Sequence, residues 1–142
     1  MMIFLAIVLI AGLMMYAVIV GSGKSKNRGK KGGRGAARKV NVKDKWALVK
    51  VMSTSGPAGL KNAISEADKL FDYVMKQQGY PGDTMADRLR HAQRELSDRN
   101  AVWQAHRLRN ALAHEVGFDL VPTQAKGAIL DFEQGLKDLG AL

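Results

Sequence analysis

The chain contains no cysteine among its 142 residues, which removes a disulfide framework, a thiolate zinc site and a cysteine nucleophile. Its length allows one small folded domain with extensions and excludes a large multidomain enzyme. No charged side chain occurs in the first 23 residues. Strand-type alternation and internal repeats are missing as well. Gly21-Ser22-Gly23-Lys24 lacks both the preceding strand and the spacing of a P-loop, so no phosphate-cradling glycine loop is found.

What is present falls into three parts. Residues 1–20, MMIFLAIVLIAGLMMYAVIV, have only Tyr16 as a mildly polar side chain. As a helix rising about 1.5 Å per residue they span roughly 30 Å, enough for one membrane crossing. A cleaved secretory signal carries basic residues before its apolar stretch and a small-x-small site after it. Here the basic residues follow the run, and Val18-Ile19-Val20 is a poor cleavage site. The expectation is an uncleaved single transmembrane anchor.

Residues 21–45 hold Lys24, Lys26, Arg28, Lys30, Lys31, Arg34, Arg38, Lys39, Lys43 and Lys45 among glycine and serine, with Asp44 the one acid. That balance equals the +9 net charge of the whole chain, because the remainder from Trp46 to Leu142 is neutral. A glycine-rich cationic stretch without apolar periodicity builds no core, so a flexible linker is expected. Cations directly after a span favour the cytoplasmic side, which predicts the N-terminus outside and the C-terminal domain in the cytoplasm. The first eight of these residues, Lys24 to Lys39, are candidate contacts for anionic lipid headgroups or, alternatively, nucleic-acid phosphates.

From residue 46 the period is helical, and an all-α antiparallel bundle of about four helices with a short leading one is expected over 46–142. Trp46, Val49 and Met52 mark the leading segment; Leu60, Ile64, Ala67, Phe71, Val74 and Met75 form the stripe of a long helix over 59–78. Gly79 is a natural C-terminal cap, and Thr84 with Asp87 has the spacing of a capping box. The helix that follows is expected to reach about Leu96. Ser97 or Asp98 opens the next, with Ala101, Ala105, Leu108 and Leu112 on its inner side, and Pro122-Thr123 opens the last, with Ala125, Ile129, Phe132, Leu136 and Leu139 inward.

One segment carries chemical content: Trp103-Gln104-Ala105-His106-Arg107-Leu108-Arg109-Asn110-Ala111-Leu112-Ala113-His114-Glu115. Arg109-Asn110-x-x-x-His114 resembles the R-(N/D/H)-x3-H motif of the HEPN superfamily, small all-α domains that often dimerise and in many branches cleave RNA without a metal. Arg107 with His114 also meets the broader R-x4-6-H form. A long helix with Glu66-Ala67-Asp68, a Gly-Tyr-Pro-Gly turn, a short helix, the motif helix and a closing helix extend the resemblance over about residues 58–142. The resemblance implies His114 as acid/base, Arg109 as phosphate clamp, with Arg107 as a substitute, Asn110 as an orienting group, a homodimer, and no cofactor or metal. Histidine titrates near neutrality and arginine offers a bidentate fork, the properties that such cleavage requires.

Helical geometry complicates that assignment. At about 100° per residue, Arg109 and His114 point about 140° apart, whereas Arg107, Asn110 and His114 share a face. Either the helix loosens near Ala113 or a second copy completes the cluster. Another reading leaves Asn110 and His114 to hydrogen-bond the following loop. His106, His114 and Glu115 as metal ligands are disfavoured, because an eight-residue separation sets the two rings two turns apart. The domain's neutrality is unlike a typical RNA-binding footprint, although Arg88, Arg90, Arg94, Arg99, Arg107 and Arg109 can form a local one. Trp46 and Trp103 are read as core or interface anchors rather than base-stacking residues. Glu66, Asp68 and Asp72 form an acidic flank able to pair with the motif-helix arginines. The sequence therefore predicts a membrane-tethered HEPN-like module that binds or cleaves RNA; the alternative is a noncatalytic adaptor that recruits a protein partner.

Overall fold

A computed structural model describes residues 39–142. The expected anchor, and the expected linker as far as residue 38, lie outside the described residues. Within the described part there are five α-helices and no strand: α1 (Val42–Ser53), α2 (Gly56–Gln77), α3 (Met85–Ala92), α4 (Arg99–His114) and α5 (Pro122–Asp138). None of them is long and apolar enough to cross a membrane.

The 22-residue α2 is the central element, and each of the other four helices packs against it. Its stripe is buried as the spacing predicts, with Leu60, Ile64, Ala67, Phe71, Val74 and Met75 in the core. Phe71 meets Phe132 of α5 with ring centroids 5.8 Å apart in a tilted arrangement. The α2–α5 seam is close because Gly135 has no side chain: a Cβ there would stand 2.7 Å from the Phe71 ring and 3.1 Å from Val102.

Local chemistry sets the helix boundaries. Asn41 Oδ1 accepts from the backbone N–H groups of Lys43 and Asp44, so α1 begins at Val42 and takes in Lys43 and Lys45. The folded part thus starts a few residues before the 45/46 boundary read from composition, and Val40 N–H is tied to the Tyr73 hydroxyl of α2. Thr84 and Asp87 close a full capping box at α3, and Asp98 caps α4 through Ala101 N–H. The third helix ends at Ala92 rather than near Leu96, although Leu96 remains buried in the turn that follows.

Arg88 secures α3. Its buried guanidinium donates from Nε to Asp72 Oδ1 at 2.6 Å and from a terminal nitrogen to the Gly82 carbonyl. Burial pushes the Asp72 carboxyl up, but hydrogen bonds from Arg88 and Lys76 outweigh it and hold the group below its ordinary value.

The inner face of α4 differs from the sequence expectation. Ala105 is buried as predicted, but Ala101, Leu108 and Leu112 are half-buried, while Val102 and His106 occupy the core instead. The helix is turned toward a polar contact with α2 that an apolar stripe does not reveal.

Candidate functional site

That contact centres on Asp68. The residue lies in the apolar stripe of α2, four positions after Ile64 and three before Phe71, and is only 5% exposed. A carboxylate so placed requires partners. α4 supplies two: His106 Nδ1 lies 2.7 Å from Asp68 Oδ1, and Arg109 Nε lies 3.5 Å from Oδ2.

Asn110, one helical turn beyond His106, continues the chain of contacts. Its Nδ2 is 3.1 Å from His106 Nε2, and its Oδ1 accepts from an Arg109 terminal nitrogen at 3.1 Å. Arginine only donates, so the Asn110 oxygen must face it and the amide nitrogen must face the histidine. His106 Nε2 then accepts and Nδ1–H donates to Asp68, which satisfies both ring nitrogens. The Trp103 ring meets the imidazole edge-on, with centroids 6.3 Å apart. Arg109 Nε is buried at ion-pair range but beyond good hydrogen-bonding distance. The Arg109 side chain as a whole keeps 27% of its surface exposed.

The network therefore unites Arg109 and Asn110 of the sequence motif with His106 and Asp68. It does not include the other two candidates. His114 is the last residue of α4, exposed, and neither it nor Arg107 makes a side-chain hydrogen bond or ion pair with another described residue. α4 is regular through His114, so it does not loosen near Ala113. Arg107 lines a different feature, an open groove of about 570 Å³ between α4 and α5 that also contains Glu115 and Asp131. Burial, then the charge of Asp98, pushes the Asp131 carboxyl above its ordinary value.

Of the acidic flank, only Asp68 pairs with the motif helix; Glu66 binds Lys69 and Asp72 binds Arg88 and Lys76. Among the described residues, no three His, Asp or Glu side chains converge as a metal site. The pairing of Asp68 with His106 was not anticipated from the sequence. An acid inside the α2 stripe, with a histidine beside Ala105, was the available signal.

Together these features define the class as far as fold and site carry it: an all-α helical bundle with a buried Asp–His–Asn–Arg chain between its second and fourth helices. No protein-family model, curated protein or solved structure matches the chain.

Proposed function

We propose that the chain is a membrane-tethered HEPN-like module that engages RNA through Arg109, Asn110 and His114 of α4, with Arg107 as a further cation. The observation that carries this reading is the Asp68–His106–Asn110–Arg109 chain, which holds two motif residues against buried partners while leaving part of Arg109 open to solvent. A guanidinium positioned before its ligand arrives loses less freedom on clamping a phosphate. His106, with both nitrogens engaged, acts as a positioning residue, and the exposed His114 is the group free to move a proton. In cleavage it takes the proton of a ribose 2′-hydroxyl as that oxygen attacks phosphorus, arginine offsets the charge of the phosphorane, and the P–O5′ bond then breaks to leave a 2′,3′-cyclic phosphate and a 5′-hydroxyl that receives the proton back from histidine.

Since Arg109 and His114 point about 140° apart on one regular helix, both reach one phosphodiester only when a second copy contributes the missing member. The membrane tether rests on the apolar run of residues 1–20 and the cations that follow it. The test incubates the full chain in detergent with single-stranded and structured RNA in EDTA, beside His114→Ala. Fragments from the wild type alone, with equal thermal midpoints, support the reading. Intact RNA with a folded wild type overturns cleavage, and failure to retain RNA overturns RNA engagement altogether.

The divergence of Arg109 and His114 favours one competing reading, a noncatalytic adaptor in which the network only joins α2 to α4. In that case His114→Ala leaves RNA handling unchanged, and recovery of a protein partner depends on the bundle.

A further inference from the structure

Five large apolar side chains are exposed among the described residues, and three of them lie on α1 and α5. Leu48 and Val51, 54% and 64% exposed, stand with exposed Ala47 on the outer face of α1. Leu130, 62% exposed, lies on α5 and lines the groove between these helices, a space of about 650 Å³ whose apolar walls include Trp46, Leu60 and Ile129. Scattered exposed apolar residues are ordinary, but Ala47, Leu48 and Val51 share one exposed face of a helix that also carries lysines, an arrangement suited to a contact surface.

Most of the bordering charge is positive. Lys43 and Lys45 lie on α1 with Leu48 and Val51, and Lys50 and Lys126 line the α1–α5 groove, against Asp44 on α1, Glu133 in the groove, and Glu66, which shares the α1–α2 cleft with Lys45 and Leu48 and pairs with Lys69. Glu133 is already engaged: it accepts from Trp46 Nε1 at 3.1 Å and pairs with Lys50 at 2.9 Å and Lys137 at 3.8 Å. Burial pushes its carboxyl up, yet the hydrogen bonds from Lys50 and Trp46 hold it below its ordinary value. The free charge on this surface therefore favours an anion.

Chain connectivity identifies the occupant. Residues 1–38 end three positions before the Asn41 cap of α1, and they contain the apolar run and seven of the linker cations. On the membrane-tether reading, the cations between the apolar run and α1 already select an anionic surface.

We propose that the outer face of α1 and the adjoining α1–α5 groove dock the folded domain onto an anionic lipid surface, with Leu48, Val51 and Leu130 entering the headgroup boundary and Lys43, Lys45 and Lys126 meeting lipid phosphates and carboxylates. This extends the membrane tether of the functional reading to the folded domain, and it leaves the Asp68 network on the α2–α4 side unoccupied by lipid.

The absence of cysteine makes the test direct. Full-length Leu48→Cys, Val51→Cys and, as a control on α4, Asn100→Cys are each labelled with an environment-sensitive dye and reconstituted into vesicles of phosphatidylcholine, with or without phosphatidylserine. A blue shift with several-fold brighter emission at positions 48 and 51, absent at 100, confined to the anionic vesicles and lost in Lys43→Glu/Lys45→Glu/Lys126→Glu, is the expected result. Silent probes at 48 and 51 on a chain that floats with anionic vesicles overturn the docking. A shift independent of lipid charge that grows with protein concentration also overturns it, and assigns the face to a second copy. Alkaline carbonate separates the two claims: a chain that resists extraction with silent probes loses only the docking, and an extractable chain with shifted probes loses only the anchor.

Discussion

The α2–α4 flank and the α1–α5 face treat polar and apolar groups in opposite ways. On the first, a carboxylate and an imidazole are taken out of water, and each finds a partner in the same chain. On the second, Leu48, Val51 and Leu130 remain in water beside lysines although a core lies directly beneath them. Satisfied burial indicates that the first region positions its own side chains. The exposed apolar side chains of the second have no such partner among the described residues, and it is this face that is proposed to dock.

The comparison is broken most severely at Asp68. Asp68→Ala leaves the buried His106 Nδ1–H without its acceptor and Arg109 without its counter-charge, and an unsatisfied buried donor costs about 1–3 kcal/mol. Chemical denaturation of the variant reads that loss, and a cost below 1 kcal/mol would show that the network does not hold the flank together. Next comes Gly135→Ala, whose Cβ would stand 2.7 Å from the Phe71 ring. Overpacking this seam costs about 1–3 kcal/mol and lowers the thermal midpoint while leaving the α1 face untouched.

A smaller effect sharpens the electrostatic side. Asp72 has a lowered folded-state pKa, so its contribution is complete above the unfolded value near about 4 and is lost as pH falls through the folded value below it. Asp72→Asn removes that part of the acid sensitivity, visible as a flatter stability profile below about pH 4. Smallest of all is Leu48→Ser/Val51→Ser, which changes stability by no more than about 0.5 kcal/mol because nothing inside the fold relies on these side chains. A large loss there would mean that the outer face of α1 belongs to the core.

Much of the framework was legible in the residues. The apolar spacing of α2, the Thr84–Asp87 box, the Asp98 cap and the proline opening α5 each act locally, so a linear reading reaches them. The orientation of α4 was not legible, because a pairing between Asp68 and His106, 38 residues apart, overrides the stripe of Ala101, Leu108 and Leu112. The same contact separates the motif residues: Arg109 and Asn110 join the buried chain while His114 remains at the exposed helix end. A short motif records which residues are present, whereas the side of the helix each occupies is decided by a partner far away in sequence.

The central functional claim is that Arg109 and His114 act on one RNA phosphodiester only across two copies of the chain. Full-length Arg109→Ala and His114→Ala are therefore assayed for RNA cleavage in EDTA, each alone and after co-assembly. In a mixed pair, one site recovers an intact arginine from one copy and an intact histidine from the other. The account predicts two inactive variants and an active mixture; a mixture as inactive as its parts, beside an active wild type, would contradict it.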